Sequence, residues 1–220
     1  MRSPPHCSAA KESVAAAAPD IWVLAGINGA GKSSIGGEML RRAGLTWYDP
    51  DRAAAELLES NGAFDSDEAN AIAWRKGFEM LQKAIGERRR YLFETTLGGN
   101  TITATLITAS QRGLAVRVWY CGLDSVDRHL SRIARRVREG GHDIPEALVR
   151  SRYNSSRMNL IRLLPHLTEL RVLDNSAERK DPRRAKPRVL LHLLEGELLD
   201  LAEPAAMPDW AKPIVGAALS

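Results

Sequence analysis

One segment near the start of the chain restricts the fold more than any other part of the sequence. Residues 26–33 have the sequence Gly-Ile-Asn-Gly-Ala-Gly-Lys-Ser and follow a short apolar run, Ile21–Ala25. They match the pattern G-x-x-x-x-G-K-[ST], in which glycines let successive backbone N–H groups face a phosphate. A buried strand, this loop and a helix that starts at Lys32 together predict a nucleotide-binding loop in an α/β fold.

The loop pattern also predicts what its residues bind. The Lys32 side chain is expected to reach the β- and γ-phosphates of ATP, and the Ser33 hydroxyl is expected to ligate Mg²⁺. The residues predicted to bind the nucleotide are Gly26, Asn28, Gly29, Ala30, Gly31, Lys32, Ser33 and Ser34. We also expect the Lys32 side chain to face solvent, so that its removal creates no core cavity. The alternative is an ordinary glycine-rich turn, but the strand before it and the helix after it are what phosphate binding requires.

Apolar runs and helical segments alternate along the rest of the chain. The predicted strands are Ile21–Ala25, Leu45–Tyr48, Tyr91–Phe93, Ala115–Tyr120, Arg171–Leu173 and Arg188–Leu194. The predicted helices are Lys32–Ala43 with Gly44 as its C-cap, Asp51–Glu59 followed by an Asn61-Gly62 turn, one from Asp65 or Ser66 to Arg89, Thr101–Gln111, one from Asp124 or Ser125 to Glu139, and Pro145–Leu164. This alternation predicts an α/β fold in which helices cover both faces of a parallel sheet. Ligands then bind beyond the carboxyl ends of the strands.

Length and composition fit one globular domain. The chain has 220 residues, of which 44% are hydrophobic and 26% are charged, and this mixture argues against disorder. We expect residues 1–19 to be a flexible N-terminal extension, residues 20–220 to form a single P-loop domain, and the charged run Ser176–Pro187 to be a solvated loop. No apolar run approaches the roughly 18 residues of a membrane span. No signal-peptide core is visible, so a cytoplasmic location without membrane contact is expected.

Charge and cysteine content exclude some classes of function. Lys and Arg number 31 against 27 Asp and Glu, which gives a net charge of +4. This mild excess favours anionic ligands and does not indicate a nucleic-acid partner. Cys7 and Cys121 are far apart and form no C-x-x-C pair, which argues against a disulfide framework or a zinc ribbon. Cys121 is predicted to be a buried thiol at a strand end.

Carboxylates follow two of the predicted strands. Asp49-Pro50-Asp51 follows one strand, and Glu94-Thr95-Thr96 follows another. In a P-loop protein, an acid at such a position holds Mg²⁺ or its waters, anchors substrate, or accepts a proton from a substrate hydroxyl. All three roles are open for Asp51 and Glu94, and Asp51 is also a candidate N-cap of the helix after it. Glu94 has the stronger case, because a carboxylate directly after a buried strand is costly unless it serves a ligand.

Two predicted helices and the glycine turn between them carry a cluster of arginines and a histidine: Arg132, Arg135, Arg136, Arg138, His142, Arg150 and Arg152. Arg136 and Arg152 flank the Gly140-Gly141 turn, which predicts a helical lid that closes over phosphates. We expect Arg135 and Arg138 to point to other helix faces and to behave as solvated surface. The alternative for the whole cluster is a solvated basic helix face.

In this order, the motifs resemble the zeta-toxin family of P-loop kinases from about Ile21 to Ser176. The matching elements are Gly26–Ser33, Asp49–Asp51, Phe93–Leu97, Arg132–Pro145, Ser151–Tyr153 and Asp174–Ser176, with a looser match at Pro208–Ala211. Two features depart from the family pattern. Asp49 stands where relatives often have Asn, and the Gly-Gly-His-Asp-Ile-Pro stretch is the form of compact chromosomal members.

The resemblance implies a P-loop kinase fold with an arginine-bearing helical lid, and a specific reaction. Zeta toxins use ATP and Mg²⁺ to phosphorylate a sugar hydroxyl of UDP-N-acetylglucosamine. The implied catalytic residues are Lys32, Asp51, which takes the hydroxyl proton, and Arg136 and Arg152, which clamp the transferring phosphate. Asp51, Glu94 and Thr96 are the implied substrate residues, and Ser33 and Glu94 the implied metal residues. The implied partners are a nucleotide sugar substrate and an antitoxin protein.

Two other functions remain open at this point. The first is a P-loop kinase of another acceptor, a nucleoside or a polynucleotide 5′ end. The absence of an aromatic-basic strip weakens the polynucleotide version. The second is a nucleotide-dependent switch or binding module without an acceptor. The chain lacks the N-K-x-D motif of GTPases, and a switch has no use for Asp51 and the paired arginines.

Overall fold

A six-stranded sheet forms the centre of the computed structural model, which describes residues 19–36, 46–60, 64–177 and 187–220. The strands are β1 (Asp20–Ala25), β2 (Tyr91–Thr95), β3 (Ala115–Gly122), β4 (Glu169–Asp174), β5 (Arg188–Leu194) and β6 (Glu197–Leu201). Their order across the sheet is β2-β1-β3-β4-β5-β6. Strands β1 to β4 run parallel, as predicted. Their carboxyl ends therefore meet at one edge of the sheet.

The last two strands depart from the predicted parallel arrangement. Strand β5 pairs antiparallel with β4, and β6 pairs antiparallel with β5. Glu195 and Gly196 join β5 to β6 with φ values of +52° and +85°, the backbone form that a tight two-residue hairpin requires. The sequence did not predict strand β6, because Glu197–Leu201 show no alternating apolar pattern. In the structure all five residues are exposed.

Seven α-helices lie within the described residues. They are α1, of which residues 32–36 are described, α2 (Pro50–Ser60), α3 (Ser66–Gly86), α4 (Asn100–Gln111), α5 (Val126–Arg138), α6 (Glu146–Leu163) and α7 (Lys212–Ala218). Leu81, Leu106, Leu160 and Ile214 from four of these helices share one buried cluster with β1 and β3. On the other sheet face, Ile35 of α1 packs with Cys121 and Leu173. The prediction of helices on both faces is thus confirmed.

The arginine-bearing helices α5 and α6 pack together near the carboxyl edge of the sheet. Ile133 of α5 and Val149 of α6 share a small buried cluster with Ile27, which lies in the loop after β1. This cluster fixes both helices against the loop that carries the nucleotide motif. Residues from α5 and α6 therefore reach the same region as the ends of the parallel strands.

The structure also settles several helix starts. Asp65 caps α3, with Glu68 completing a capping box, and Ser125 caps α5. Helix α2 is capped by Asp49, whose Oδ1 accepts hydrogen bonds from the backbone N–H groups of Asp51 (3.0 Å) and Arg52 (3.3 Å). Asp51 therefore lies in the first helical turn, and the interpretation of Asp51 as the N-cap was wrong.

Some predictions concern residues that the structure describes only in part. Of the predicted strand Leu45–Tyr48, Tyr48 forms a single parallel bridge with Phe93 beside β2. Cys121 is 1% exposed near the end of β3, as predicted. The predictions for residues 1–18, the end of the first helix with Gly44, the Asn61-Gly62 turn and residues 178–186 lie outside the described residues. No helix in the described part of the chain is long and apolar enough to cross a bilayer.

Candidate active site

The loop after β1 turns sharply at glycines that other residues could not replace. Gly26 has a φ of +134°, and a Cβ atom there would lie 2.1 Å from the carbonyl oxygen of Cys121. At Gly31, with a φ of +86°, a Cβ would lie 2.5 Å from Nδ2 of Asn175. Side chains at these positions would displace neighbouring backbone or the Asn175 amide. The close contacts explain why the motif needs glycine here.

Three side chains from other elements hold this loop in place. His129 Nδ1 contacts the carbonyl oxygen of Asn28 at 2.8 Å, and Arg152 Nη1 donates to Oδ1 of Asn28 at 2.9 Å. Asn175, which follows β4, donates from Nδ2 to the carbonyl oxygen of Ala30 at 2.9 Å. Burial lowers the pKa of His129 to about 4, so the ring is neutral at pH 7 and Nδ1 carries the donated hydrogen.

Lys32 does not face solvent, and that expectation was wrong. Lys32 lies at the start of α1 and is only 9% exposed. The positive charge is compensated by Glu94, because the electrostatic effect of Lys32 lowers the pKa of that carboxyl group. The electrostatic attraction between the two groups offsets part of the cost of burying the lysine.

Glu94 is the most enclosed acid of the site. Oε2 accepts a hydrogen bond from Ser33 Oγ at 3.0 Å, and Oε1 accepts one from Trp47 Nε1 at 2.9 Å. The residue is 4% exposed, and burial raises its pKa to about 7 although Lys32 and both donors act in the opposite direction. A hydroxyl and a buried carboxylate in contact form an oxygen donor set that fits Mg²⁺.

A cleft of about 710 Å³ lies beside the loop. It is lined by loop residues, by Asp51 and Asn175, and by a row of arginines on α5: Arg128, Arg132, Arg135, Arg136 and Arg138. Arg132 also donates from Nη2 to the carbonyl oxygen of Asn175 at 2.7 Å, which ties α5 to the end of β4. Arg135 and Arg138 are exposed, as expected, but they border the cleft and do not point away from it.

Asp51 and Arg136 face each other across this cleft. Arg136 Nη1 lies 3.7 Å from Asp51 Oδ2, and both side chains are partly exposed. Arg136 Nη2 also donates to the carbonyl oxygen of His142 at 3.0 Å. The candidate base and one candidate clamp residue are therefore neighbours, which their separation of 85 positions in the sequence does not reveal.

Arg152 and Thr96 lie in a second group, outside the residues that line the cleft. A Cβ atom at Gly98 would be 2.7 Å from Arg152 Cγ and 3.3 Å from Thr96 Oγ1, so both side chains adjoin Gly98. Ser156 of α6 donates to the carbonyl oxygen of Thr96 at 2.6 Å. Burial lowers the pKa of Arg152, an effect that Asp51 partly offsets. Asn28, bonded to Arg152, lies between this group and the cleft.

Four residues contribute to the site without a role assigned from the sequence: Trp47, His129, Arg132 and Asn175. Asn175 follows a strand within the Asp174-Asn175-Ser176 element, and Arg132 belongs to the arginine cluster, so both had a weak sequence signal. Trp47 and His129 had none, because their contacts with Glu94 and Asn28 join residues 47 and 101 positions apart.

Comparison with known proteins gives one relative by sequence. No family model matches the chain. An uncharacterized protein of Haemophilus influenzae is 32% identical over 140 residues, which make up 60% of this chain and 96% of that protein. The match therefore extends over nearly the whole length of the relative.

Solved structures share the fold at low sequence identity. A chain of the AvrRxo1-ORF1:AvrRxo1-ORF2 complex solved with sulphate ions has a TM-score of 0.64 at 16% identity, over 91% of this chain and 64% of that one. The complex solved with ATP gives a TM-score of 0.63 at 15% identity. This chain thus spans less than two thirds of that protein. The PezAT chromosomal toxin-antitoxin system of Streptococcus pneumoniae gives a TM-score of 0.54 at 16% identity, over 73% of this chain and 69% of that one. These likenesses identify a fold of the P-loop kinase type.

Proposed function

This chain belongs to the same family as the uncharacterized Haemophilus influenzae protein, and from its site we propose that it is an ATP- and Mg²⁺-dependent kinase of a small molecule. The observation that carries the proposal is the contact of Ser33 with Glu94 at 3.0 Å. This contact joins the nucleotide loop to an acid at the end of the neighbouring strand. A P-loop enzyme needs that pair to hold the metal of its nucleotide.

The charge of the cleft supports a triphosphate as the ligand. Five arginines of α5 and Lys32 line it against two carboxylates, Asp51 and Glu139. A nucleoside triphosphate carries several negative charges, and arginine and lysine are the side chains that bind phosphate oxygens most strongly. The volume of about 710 Å³ also lies within the range of small-molecule sites.

Five residues at or near the loop have a proposed part in phosphoryl transfer. Bound Mg²⁺ would be held by Ser33 and Glu94 and would neutralise charge that develops between the β- and γ-phosphates. Lys32 binds the β- and γ-phosphates. Asp51 accepts the proton of the acceptor hydroxyl on a carboxylate oxygen. Arg136 donates hydrogen bonds to oxygens of the transferring group.

The acceptor we propose is a UDP-amino sugar such as UDP-N-acetylglucosamine. The support is the resemblance of the ordered motifs to zeta toxins, with Asp51, Glu94 and Thr96 as the residues carried over to the acceptor side, and Arg152 carried over with Arg136 to the transferring phosphate. The low-identity likeness to a chain of the PezAT system is consistent with it. We also propose an antitoxin-like partner protein, because PezAT is a toxin-antitoxin system and AvrRxo1-ORF1 was solved in complex with AvrRxo1-ORF2.

One assay separates this function from its alternatives. The purified chain is incubated with ATP and Mg²⁺, alone or with UDP-N-acetylglucosamine, a nucleoside, or an oligonucleotide with a free 5′ hydroxyl. ADP release is then measured. We expect release that depends on the UDP-sugar, and Asp51→Asn, which keeps the shape of the side chain, is the matched inactive control. Release that depends on the nucleoside or oligonucleotide would select the other acceptor class. ATP binding with no release under any condition would select the switch or binding module.

A further inference from the structure

The turn between α5 and α6 encloses the side chain of Arg136. The backbone N–H of Gly141 donates to the carbonyl oxygen of Arg136 at 2.9 Å. The carbonyl oxygen of His142 accepts a hydrogen bond from Arg136 Nη2 at 3.0 Å. Two successive residues of the turn thus bind the main chain and the side chain of the same arginine. Their contacts limit where its guanidinium can lie.

Gly141 is the position where this enclosure is tightest. A Cβ atom there would lie 2.6 Å from Cγ of Arg136, 3.2 Å from its Cδ and 3.1 Å from its carbonyl oxygen. Cγ lies near the root of the side chain, so it cannot yield without moving the whole arginine. Gly140 differs, because a Cβ at that position would meet no atom within 4 Å. The two adjacent glycines therefore serve different purposes.

We propose that Gly141 and the carbonyl group of His142 are positioning elements that orient Arg136 toward Asp51 and the cleft before any ligand binds. The guanidinium is held with Nη1 3.7 Å from Asp51 Oδ2. Arg136 Nε is buried and has no hydrogen-bond partner among the described residues. A planar fork fixed in this way loses little conformational freedom when it binds a phosphoryl group. This inference rests on the proposed kinase function and assigns the turn a supporting role beyond that of a lid hinge.

The test is a double-mutant cycle between positions 141 and 136, with Gly140→Ala as the matched control. Transfer rate, ATP affinity and melting temperature are measured for Gly141→Ala, Arg136→Ala and the double variant. We expect Gly141→Ala to slow transfer by about 10²-fold, the size of effect that a misplaced catalytic group produces, with ATP affinity almost unchanged. In the Arg136→Ala background the same substitution should cause no further loss of rate and a smaller loss of melting temperature. Gly140→Ala should lower the melting temperature, because φ is +92° there, and should leave the rate within about twofold.

Two results would overturn the proposal. One is an equal loss of rate from Gly141→Ala in both backgrounds, and the other is a loss of rate from Gly140→Ala as large as that from Gly141→Ala. If Gly141→Ala does not fold, the proposal requires that the double variant does, since Arg136→Ala removes Cγ and Cδ, the side-chain atoms that the new Cβ meets, and leaves only the carbonyl oxygen at 3.1 Å. Failure of both to fold overturns it. The cycle in melting temperature needs no enzyme activity, so a wild-type chain without ATP-dependent transfer would defeat the proposed function and still leave this inference testable.

Discussion

Ser33 donates its hydroxyl to Oε2 of Glu94 at 3.0 Å, and this bond connects the first turn of α1 to the end of β2. The parallel pairing of β1 with β2 brings the two residues together, because Ala25 and Thr95 are paired at the ends of the two strands. Lys32 stands beside the same carboxyl group and lowers its pKa. The three residues form one electrostatic unit, and the loss of one member should affect the others.

Lys32→Met should abolish ATP turnover while the protein stays folded. Methionine keeps most of the length of the side chain, so the substitution tests the charge more than the volume. Without Lys32 the pKa of Glu94 should rise above about 7, and the carboxyl group should take up a proton instead of unfolding the site. Turnover by ADP release and folding by circular dichroism are the measurements. Unchanged turnover would mean that Lys32 does not bind the phosphates of ATP, and a loss of folding would mean that the positive charge near Glu94 is needed for stability.

The pKa of His129 predicts a loss of stability in acid. This ring is 1% exposed and titrates near pH 4 in the folded chain, against about 6.5 in an unfolded chain. Between these values the unfolded state binds the extra proton, so stability is complete above about pH 6.5 and falls as the pH is lowered to about 4. The difference between the two pKa values corresponds to about 3 kcal/mol of unfolding free energy.

His129→Asn isolates this contribution. Asparagine places an N–H donor where Nδ1 of the ring stands, so it can keep the bond to the Asn28 carbonyl without titrating. Urea unfolding at several pH values should show a smaller dependence on pH between about 4 and 6.5 in the variant than in the wild type. An identical pH dependence in both proteins would mean that His129 keeps its ordinary pKa in the folded state.

Asp51 and Asp49 should give opposite results, although they stand two positions apart. Asp51→Asn should keep ATP binding and slow phosphoryl transfer by about 10²–10⁴-fold, the usual size of a general-base effect. Asp49→Ala removes the N-cap of α2 and should cost about 1 kcal/mol of stability, with a smaller effect on the rate. ATP binding by fluorescence titration and single-turnover transfer separate the two. If Asp51→Asn instead loses ATP affinity with its turnover intact, Asp51 belongs to the metal shell.

The different roles of these two aspartates show where sequence reasoning succeeds and where it stops. Local patterns in the sequence reveal the loop motif, the alternation of strands and helices, and the acids at strand ends. The parallel sheet and the position of Ser33 and Glu94 at its carboxyl edge were therefore predictable. The choice of cap depends on two hydrogen bonds that the Asp49 side chain accepts, which composition does not reveal. Burial of Lys32 could not be predicted from the loop motif, because Glu94, which interacts with its charge, lies 62 positions away in the sequence. The β5–β6 hairpin depends on pairing with β4, because its outer strand has no apolar face of its own.

The arginines should separate into residues that act on the rate and residues that act through general charge. Phosphoryl transfer spreads charge over the γ-phosphate oxygens, and a fixed guanidinium stabilises that charge as it develops. Arg136→Ala and Arg152→Ala should therefore reduce the rate more than ATP affinity. Lysine at either position keeps the charge but loses the planar fork, so Arg136→Lys and Arg152→Lys should also be damaging.

Two exposed arginines of α5 are the matched controls for this prediction. Arg135 and Arg138 border the same cleft, so their alanine variants should weaken ATP binding modestly, and added salt should reduce the difference from the wild type.

Arg152 gives a more specific test, because its Nη1 is bonded to Asn28 of the loop at 2.9 Å and must change partner to reach a phosphate. Asn28→Ala should release the Arg152 side chain from this bond. It should also lower ATP affinity, because Asn28 belongs to the nucleotide loop, but it should reduce the transfer rate less than Arg152→Ala does. If all four arginine variants lose rate and affinity in the same proportion, the arginines act as a diffuse positive field, and neither Arg136 nor Arg152 clamps the phosphate.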